Sequence, residues 1–186
     1  MLLNTNEKTY LLSLARHTIK QYFTPGLEDL FKADYEVLDQ KNGAFVTLTS
    51  NGKLRGCIGY IIGEQPLYET IKDAAIQAAY HDPRFPPLTE KEFDSVELEI
   101  SILSEPFKMN TYDEIVLGEH GLILTEHGHR GLLLPQVPVE HNMDKEDYLS
   151  AICQKAGLPS LYWQNKTLNM EMFTATVFSE KELGVK

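Results

Sequence analysis

The stretch that decides the fold is Ala44-Phe45-Val46-Thr47-Leu48-Thr49-Ser50-Asn51-Gly52-Lys53-Leu54-Arg55-Gly56-Cys57-Ile58-Gly59. Residues 44–49 and 54–59 read as two strands around Asn51-Gly52, the strongest short hairpin signal, because both turn residues tolerate positive φ. A two-residue turn there pairs Ser50 with Lys53. Counting outward, Thr49 faces Leu54, Leu48 faces Arg55, Thr47 faces Gly56 and Val46 faces Cys57. On that register Arg55 and Cys57 share a face with Val46 and Leu48. Gly56 and Gly59 bracket the cysteine. A glycine inside a strand marks a bulge or the close approach of another backbone or a ligand. Two readings of Cys57 stay open: a thiolate whose pKa is lowered by Arg55 on the same face, or a buried cysteine acting as a small hydrophobe.

Working outward, the rest of the chain alternates helices and hairpins. The first helix is predicted to start at Asn6 as N-cap, with Leu11, Leu14, Ala15, Thr18, Ile19 and Tyr22 as one buried stripe, and to stop at Pro25-Gly26. A second starts near Pro66, and Leu67, Ile71, Ala74, Ala75 and Ala78 form its stripe. A third starts at Asp144 and ends at Gly157 and Pro159. Residues 96–102 alternate as a strand with a solvated face that carries Glu97 and Glu99. Residues 122–125 and 131–134 read as a second hairpin around 126–130, and residues 173–177 as a last strand. Hairpins outnumber βαβ units, so the fold class is α+β: an antiparallel sheet flanked by helices.

Composition narrows the function classes. The 186 residues carry 27 acids against 17 bases, a formal charge of -10, and 42% are hydrophobic. That length suits one domain, or one with a small companion lobe. The acidic balance argues against sequence-independent nucleic-acid binding, which rests on neutralising phosphates. No apolar run approaches the roughly 18 residues of a membrane span, and the apolar stretch at 10–15 is too short for a signal-peptide core. A cytoplasmic protein is expected. Two cysteines make neither a disulfide framework nor, alone, a cysteine zinc site. Neither a metal nor a cofactor is expected. Residues 180–186 read as a charged tail.

Four stretches together resemble one family. Leu54-Arg55-Gly56-Cys57-Ile58-Gly59 is similar to the signature of the AMMECR family. His81-Asp82-Pro83-Arg84-Phe85-Pro86-Pro87-Leu88-Thr89 resembles its second motif, and Gly131-Leu132-Leu133-Leu134-Pro135-Gln136-Val137 its third. Lys155-Ala156-Gly157-Leu158-Pro159 and Trp163 also fit. The motifs run in family order over nearly the whole chain. Met143 stands where the family usually has tryptophan, and His120, His127 and His129 match no signature. The resemblance implies a single AMMECR-like domain over 1–186 built of two lobes, with a cleft between them lined by the signature. It also implies a shared pathway with a Memo-like protein and a radical SAM protein. It brings no settled activity.

The remaining polar residues are candidates of differing weight. Arg84, in a loop stiffened by three prolines, suits bidentate binding of a carboxylate or phosphate; the plain reading has it cap the helix end or pair with an internal acid. Glu140 and His141 could serve as an acid/base pair for a thiol, or be solvated loop residues. His127-Gly128-His129 lacks a third metal ligand nearby and reads as a turn. Two functions follow. The first is a binding or adaptor component, with Arg55, Gly56 and Arg84 as ligand-binding residues for a partner or a small anionic ligand. The second is an enzyme with Cys57 as nucleophile or acid/base, served by Glu140 or His141.

Overall fold

The computed structural model describes residues 3–185. They form an α+β fold with two four-stranded sheets in two compact units. One unit comprises the described residues up to Leu103 and those from Thr176 onward; the other runs from Ser104 to Ala175.

In the first unit α1 (Thr5–Gln21) and α2 (Leu67–Ile76) pack on a sheet of order β2-β1-β3-β8. Its strands are β1 (Ala44–Ser50), β2 (Lys53–Tyr60), β3 (Val96–Leu103) and β8 (Ala175–Ser179). Strand β1 is antiparallel to both β2 and β3. Helix α1 is capped by Asn4, two residues earlier than the Asn6 expectation. Asn4 accepts from the Glu7 amide at 3.0 Å while the Glu7 carboxylate accepts from the Asn4 amide at 2.8 Å. That reciprocal box needs an acid three residues on, which Asn6 does not have. Leu11, Leu14, Ala15 and Ile19 are buried as expected, with Val46, Leu48, Ile71, Leu98 and Ile100. Tyr22 lies beyond the helix and is 63% exposed, stacked on Tyr80.

After Ile76 the helix widens into a π-helical segment, Gln77–His81. Such segments are rare and recur at functional sites. The short helix α3 (Glu90–Phe93) follows, capped by Thr89 and Glu92. The end of the chain is more than a charged tail. Helix α6 (Glu180–Leu183) buries Glu180. Its carboxylate receives the Arg16 guanidinium and, at 2.8 Å, the Leu98 amide.

The second unit holds β4 (Phe107–Lys108), β5 (Gly121–Glu126), β6 (His129–Leu133) and β7 (Met170–Phe173), in the order β4-β7-β5-β6, with antiparallel neighbours. Helices α4 (Val137–Glu140) and α5 (Lys145–Lys155) complete it. Asp144 caps α5 as read, accepting from the Asp147 amide at 2.8 Å. The turn of the second hairpin is shorter than expected. His127 and Gly128, both at positive φ, make a two-residue turn, so His129 already belongs to β6. The predicted strand over 173–177 is two strands, one in each sheet, broken at Thr174.

Candidate functional site

The first hairpin departs from the counted register at one residue. Thr49 pairs with Leu54, but Leu48 pairs with Gly56 and Thr47 with Cys57, so Arg55 is the extra residue of a β-bulge. The slip inverts the expected faces. Gly56, opposite the buried Leu48, turns to the helical side. A Cβ on Gly56 would lie 2.1 Å from the Ala78 carbonyl oxygen of the π segment, so only glycine admits that backbone. Cys57 faces away from the helices, beside Thr47, which pairs with Glu99 on its other flank. The unbulged count places Arg55 and Cys57 against α2, where no room exists for an arginine.

The His81–Pro87 loop is fixed to this hairpin by a buried carboxylate. Asp82, 3% exposed, takes four donors on two oxygens. Oδ2 accepts from the Cys57 amide at 2.9 Å and from Arg84 Nη2 at 2.7 Å. Oδ1 accepts from the Arg84 amide at 3.1 Å and from Arg84 Nε at 2.9 Å. Arg84 Nη2 also donates to the Cys57 carbonyl at 3.1 Å. The pair thus meets both outward backbone groups of Cys57, as a neighbouring strand would. β2 is the edge of its sheet, where such groups otherwise stay unpaired. These bonds hold the Asp82 carboxyl well below the usual carboxylate range, chiefly through the Arg84 guanidinium. The Arg84 side chain remains 53% exposed.

Arg55 turns instead to Glu92, with Nε–Oε1 at 3.1 Å and Nη2–Oε2 at 3.3 Å. Arg55 and Arg84 both lie near the Phe85 ring, 6.0 and 5.5 Å from its centre. Arg55 is thus paired with Glu92, while the arginine that bonds the Cys57 backbone is Arg84. Burial pushes the half-buried Cys57 thiol up, and the Asp82 and Glu99 carboxylates push the same way; the Thr47 hydroxyl, 3.3 Å from Sγ, and the Arg84 charge pull it back only in part. Of the two readings left open for Cys57, these surroundings favour the neutral thiol over the thiolate.

Of the residues proposed from sequence, Arg55, Gly56, Cys57 and Arg84 meet around one strand edge. Glu140 and His141 belong to the second unit, exposed at the end of α4, and neither side chain makes a hydrogen bond or ion pair among the described residues. Asp82, the centre of the cluster, stands in the sequence only within the second motif and without a role of its own; Thr47 and Glu92 carry no signal. Among the described residues no group of three His, Cys, Asp or Glu side chains could hold a metal ion. No helix among them is long and apolar enough to cross a membrane.

The AMMECR1 family model matches residues 12–178. The chain belongs to the AMMECR1 family. It is 42% identical to Protein MJ0810 of Methanocaldococcus jannaschii over 97% of this chain and 94% of that protein. Protein MK0488 of Methanopyrus kandleri is 39% identical over 97% and 91%. The fold is similar to the crystal structure of the uncharacterized protein PH0010 from Pyrococcus horikoshii, with a TM-score of 0.84 and 36% identity, covering 96% of this chain and 93% of that one. Within this AMMECR1 domain Asp82 and Arg84 tie the His81–Pro87 loop to the β2 edge at Cys57.

Proposed function

We propose that this AMMECR1-family protein is a binding or adaptor component that works in the cytoplasm with a Memo-like partner and a radical SAM protein. Its docking surface is the Arg55–Cys57 edge together with the Asp82–Pro87 loop. The observation that carries this reading is the Asp82 clamp. It spends a buried carboxylate on fixing an exposed arginine and a strand edge in one geometry, which lowers the ordering cost of binding. A small anionic ligand at Arg84 fits the same surface. Titration of the Memo-like protein onto the wild type and onto Arg84→Ala tests it. Binding weakened by about tenfold in the variant is the expected result, the size of a modest interface hot spot. Absence of binding to the wild type, or equal binding by both, sinks the proposal.

A second reading, an enzyme using Cys57 as nucleophile or acid/base on a small anionic substrate, is favoured by one observation. The thiol is not sealed in the core, and Arg84 stabilises its charged form. Alkylation rates separate the two readings. A neutral thiol reacts more slowly at pH 8 than a free cysteine of pKa about 8.5, and more slowly still in Arg84→Ala. A rate above that of the free thiol would transfer the case to the enzyme.

A further inference from the structure

A second feature of the first unit lies on α1. The segment from Leu27 to Ala33 has no regular structure, yet its backbone is tied down along its length. Gln21 donates to the Leu27 carbonyl at 3.1 Å and to the Asp29 carboxylate at 2.9 Å, and His17 lies 2.7 Å from the Glu28 carbonyl. The Tyr68 hydroxyl donates to the Leu30 carbonyl at 3.3 Å. The Tyr10 hydroxyl donates to the Phe31 carbonyl at 3.0 Å and accepts from the Ala33 amide at 3.3 Å. The product of all this pinning is a phenylalanine side chain held in solvent, since Phe31 is 88% exposed. An isolated exposed apolar residue needs no explanation. A rigidly presented aromatic ring has the form of an interface anchor, with its ordering already complete before binding.

Beside it is an open cavity of ≈ 650 Å³ floored by Leu30 and Phe93 and rimmed by Arg16, His17, Lys20 and Asp94. Arg16 is spent on Glu180 and His17 on the Glu28 carbonyl. Lys20 is in no ion pair among the described residues, and Asp94 supplies the opposite charge. Near the ring in sequence, exposed Glu28 carries the charge opposite to Lys20, while Lys32 is taken by Asp39 at 2.6 Å. Knob and socket are adjacent in the chain, since Leu30 floors the cavity and Phe31 projects from the next position. In an isologous contact each copy's knob meets the other copy's socket about a two-fold axis.

We propose that the chain self-associates through this face, the Phe31 of each copy entering the Leu30–Phe93 cavity of the other, with Glu28 opposite Lys20 across the interface. Sedimentation equilibrium of the full chain over rising concentration tests it. The expected average mass climbs from the monomer's 21.1 kDa toward twice that. Phe31→Ala, which alters only a solvent-exposed ring, should weaken association by about tenfold or more. Lys20→Glu should also weaken it, and adding Glu28→Lys to Lys20→Glu should restore it. A wild type that stays monomeric at every concentration overturns the proposal. So does undiminished association of Phe31→Ala, or a charge-swapped double variant no better than Lys20→Glu alone.

Discussion

The two hairpins of this protein are built to one plan and used differently. Each turns through two residues at positive φ, Asn51-Gly52 and His127-Gly128. Each places its second strand at a sheet edge, and each carries a glycine there against a helix. Gly131 of β6 faces the backbone and methyl of Ala156 at the end of α5, where a Cβ would stand 2.9 Å from the Ala156 nitrogen. Gly56 of β2 faces the Ala78 carbonyl of the π segment at the closer 2.1 Å. The second hairpin reaches its contact with an unbroken register, whereas the first needs a bulge. The bulge also turns Cys57 outward and leaves its amide and carbonyl at the edge, where Asp82 and Arg84 meet them. A helix packed on a glycine stabilises both sheets; the bulge and the ionic clamp are what one of them adds.

The sharpest way to break this comparison is to add one methyl group to each glycine. Gly56→Ala puts a Cβ into a carbonyl oxygen belonging to a helix that cannot yield locally. A loss of about 3 kcal/mol, the upper end for overpacking, is expected. Gly131→Ala meets a longer contact, partly with a side-chain methyl, and about 1 kcal/mol is expected there. Urea denaturation of the two variants checks the ordering; equal losses would mean that the close approach to the π segment has no special weight.

Next in size is the clamp. Asp82→Asn keeps the shape but offers one acceptor oxygen where four donors converge, so an amide NH2 is driven against N–H groups. The expected cost is about 2–3 kcal/mol at neutral pH, since a buried charged bond is broken on one side. The pH dependence is a second check. The folded carboxyl titrates well below its unfolded value of about 3.9, so its stabilisation is fully present above that value and is lost as pH falls through it toward the folded pKa. The gap in stability between wild type and Asp82→Asn should therefore be constant from pH 7 to 5 and close in more acid solution. A gap independent of pH would show that Asp82 contributes through shape alone.

What the sequence made legible follows the same division. The turn at Asn51-Gly52 and the Asp144 cap are local, decided by residues within three positions of one another, and both stand as read. The second turn is read too long, by Glu126 on one flank and by His129 and Arg130 on the other, because His-Gly is a weaker turn signal than Asn-Gly. The bulge at Arg55 could not be counted. It is set by Gly56 meeting Ala78, a contact more than twenty positions away, and one inserted residue reverses every face beyond it. For the same reason the Cys57 environment was inverted. Arg55 seemed its nearest cation by spacing, while Arg84 is the one that touches it. The break at Thr174 is hidden because the apolar–polar alternation of the sequence runs straight through it, although in β8 it is Phe178 that is buried and Val177 that is exposed.

The smallest expected effect lies at the residue that the bulge displaced. Arg55 and Glu92 pair across a partly exposed surface, and Glu92 is held down to about 2, chiefly by Arg55, with the Thr89 amide and hydroxyl adding their bonds. The Glu92 side chain is 41% exposed, so water screens much of that attraction. Arg55→Ala should cost about 0.5–1 kcal/mol, the range of exposed ion pairs. Its value lies in a second reading on the same variant. If the bulge has separated Arg55 electrically from the cysteine, the alkylation rate of Cys57 will be unchanged in Arg55→Ala while Arg84→Ala slows it. A fall in both would restore to Arg55 the part that simple strand alternation assigns it, and would place the two arginines around the thiol instead of one.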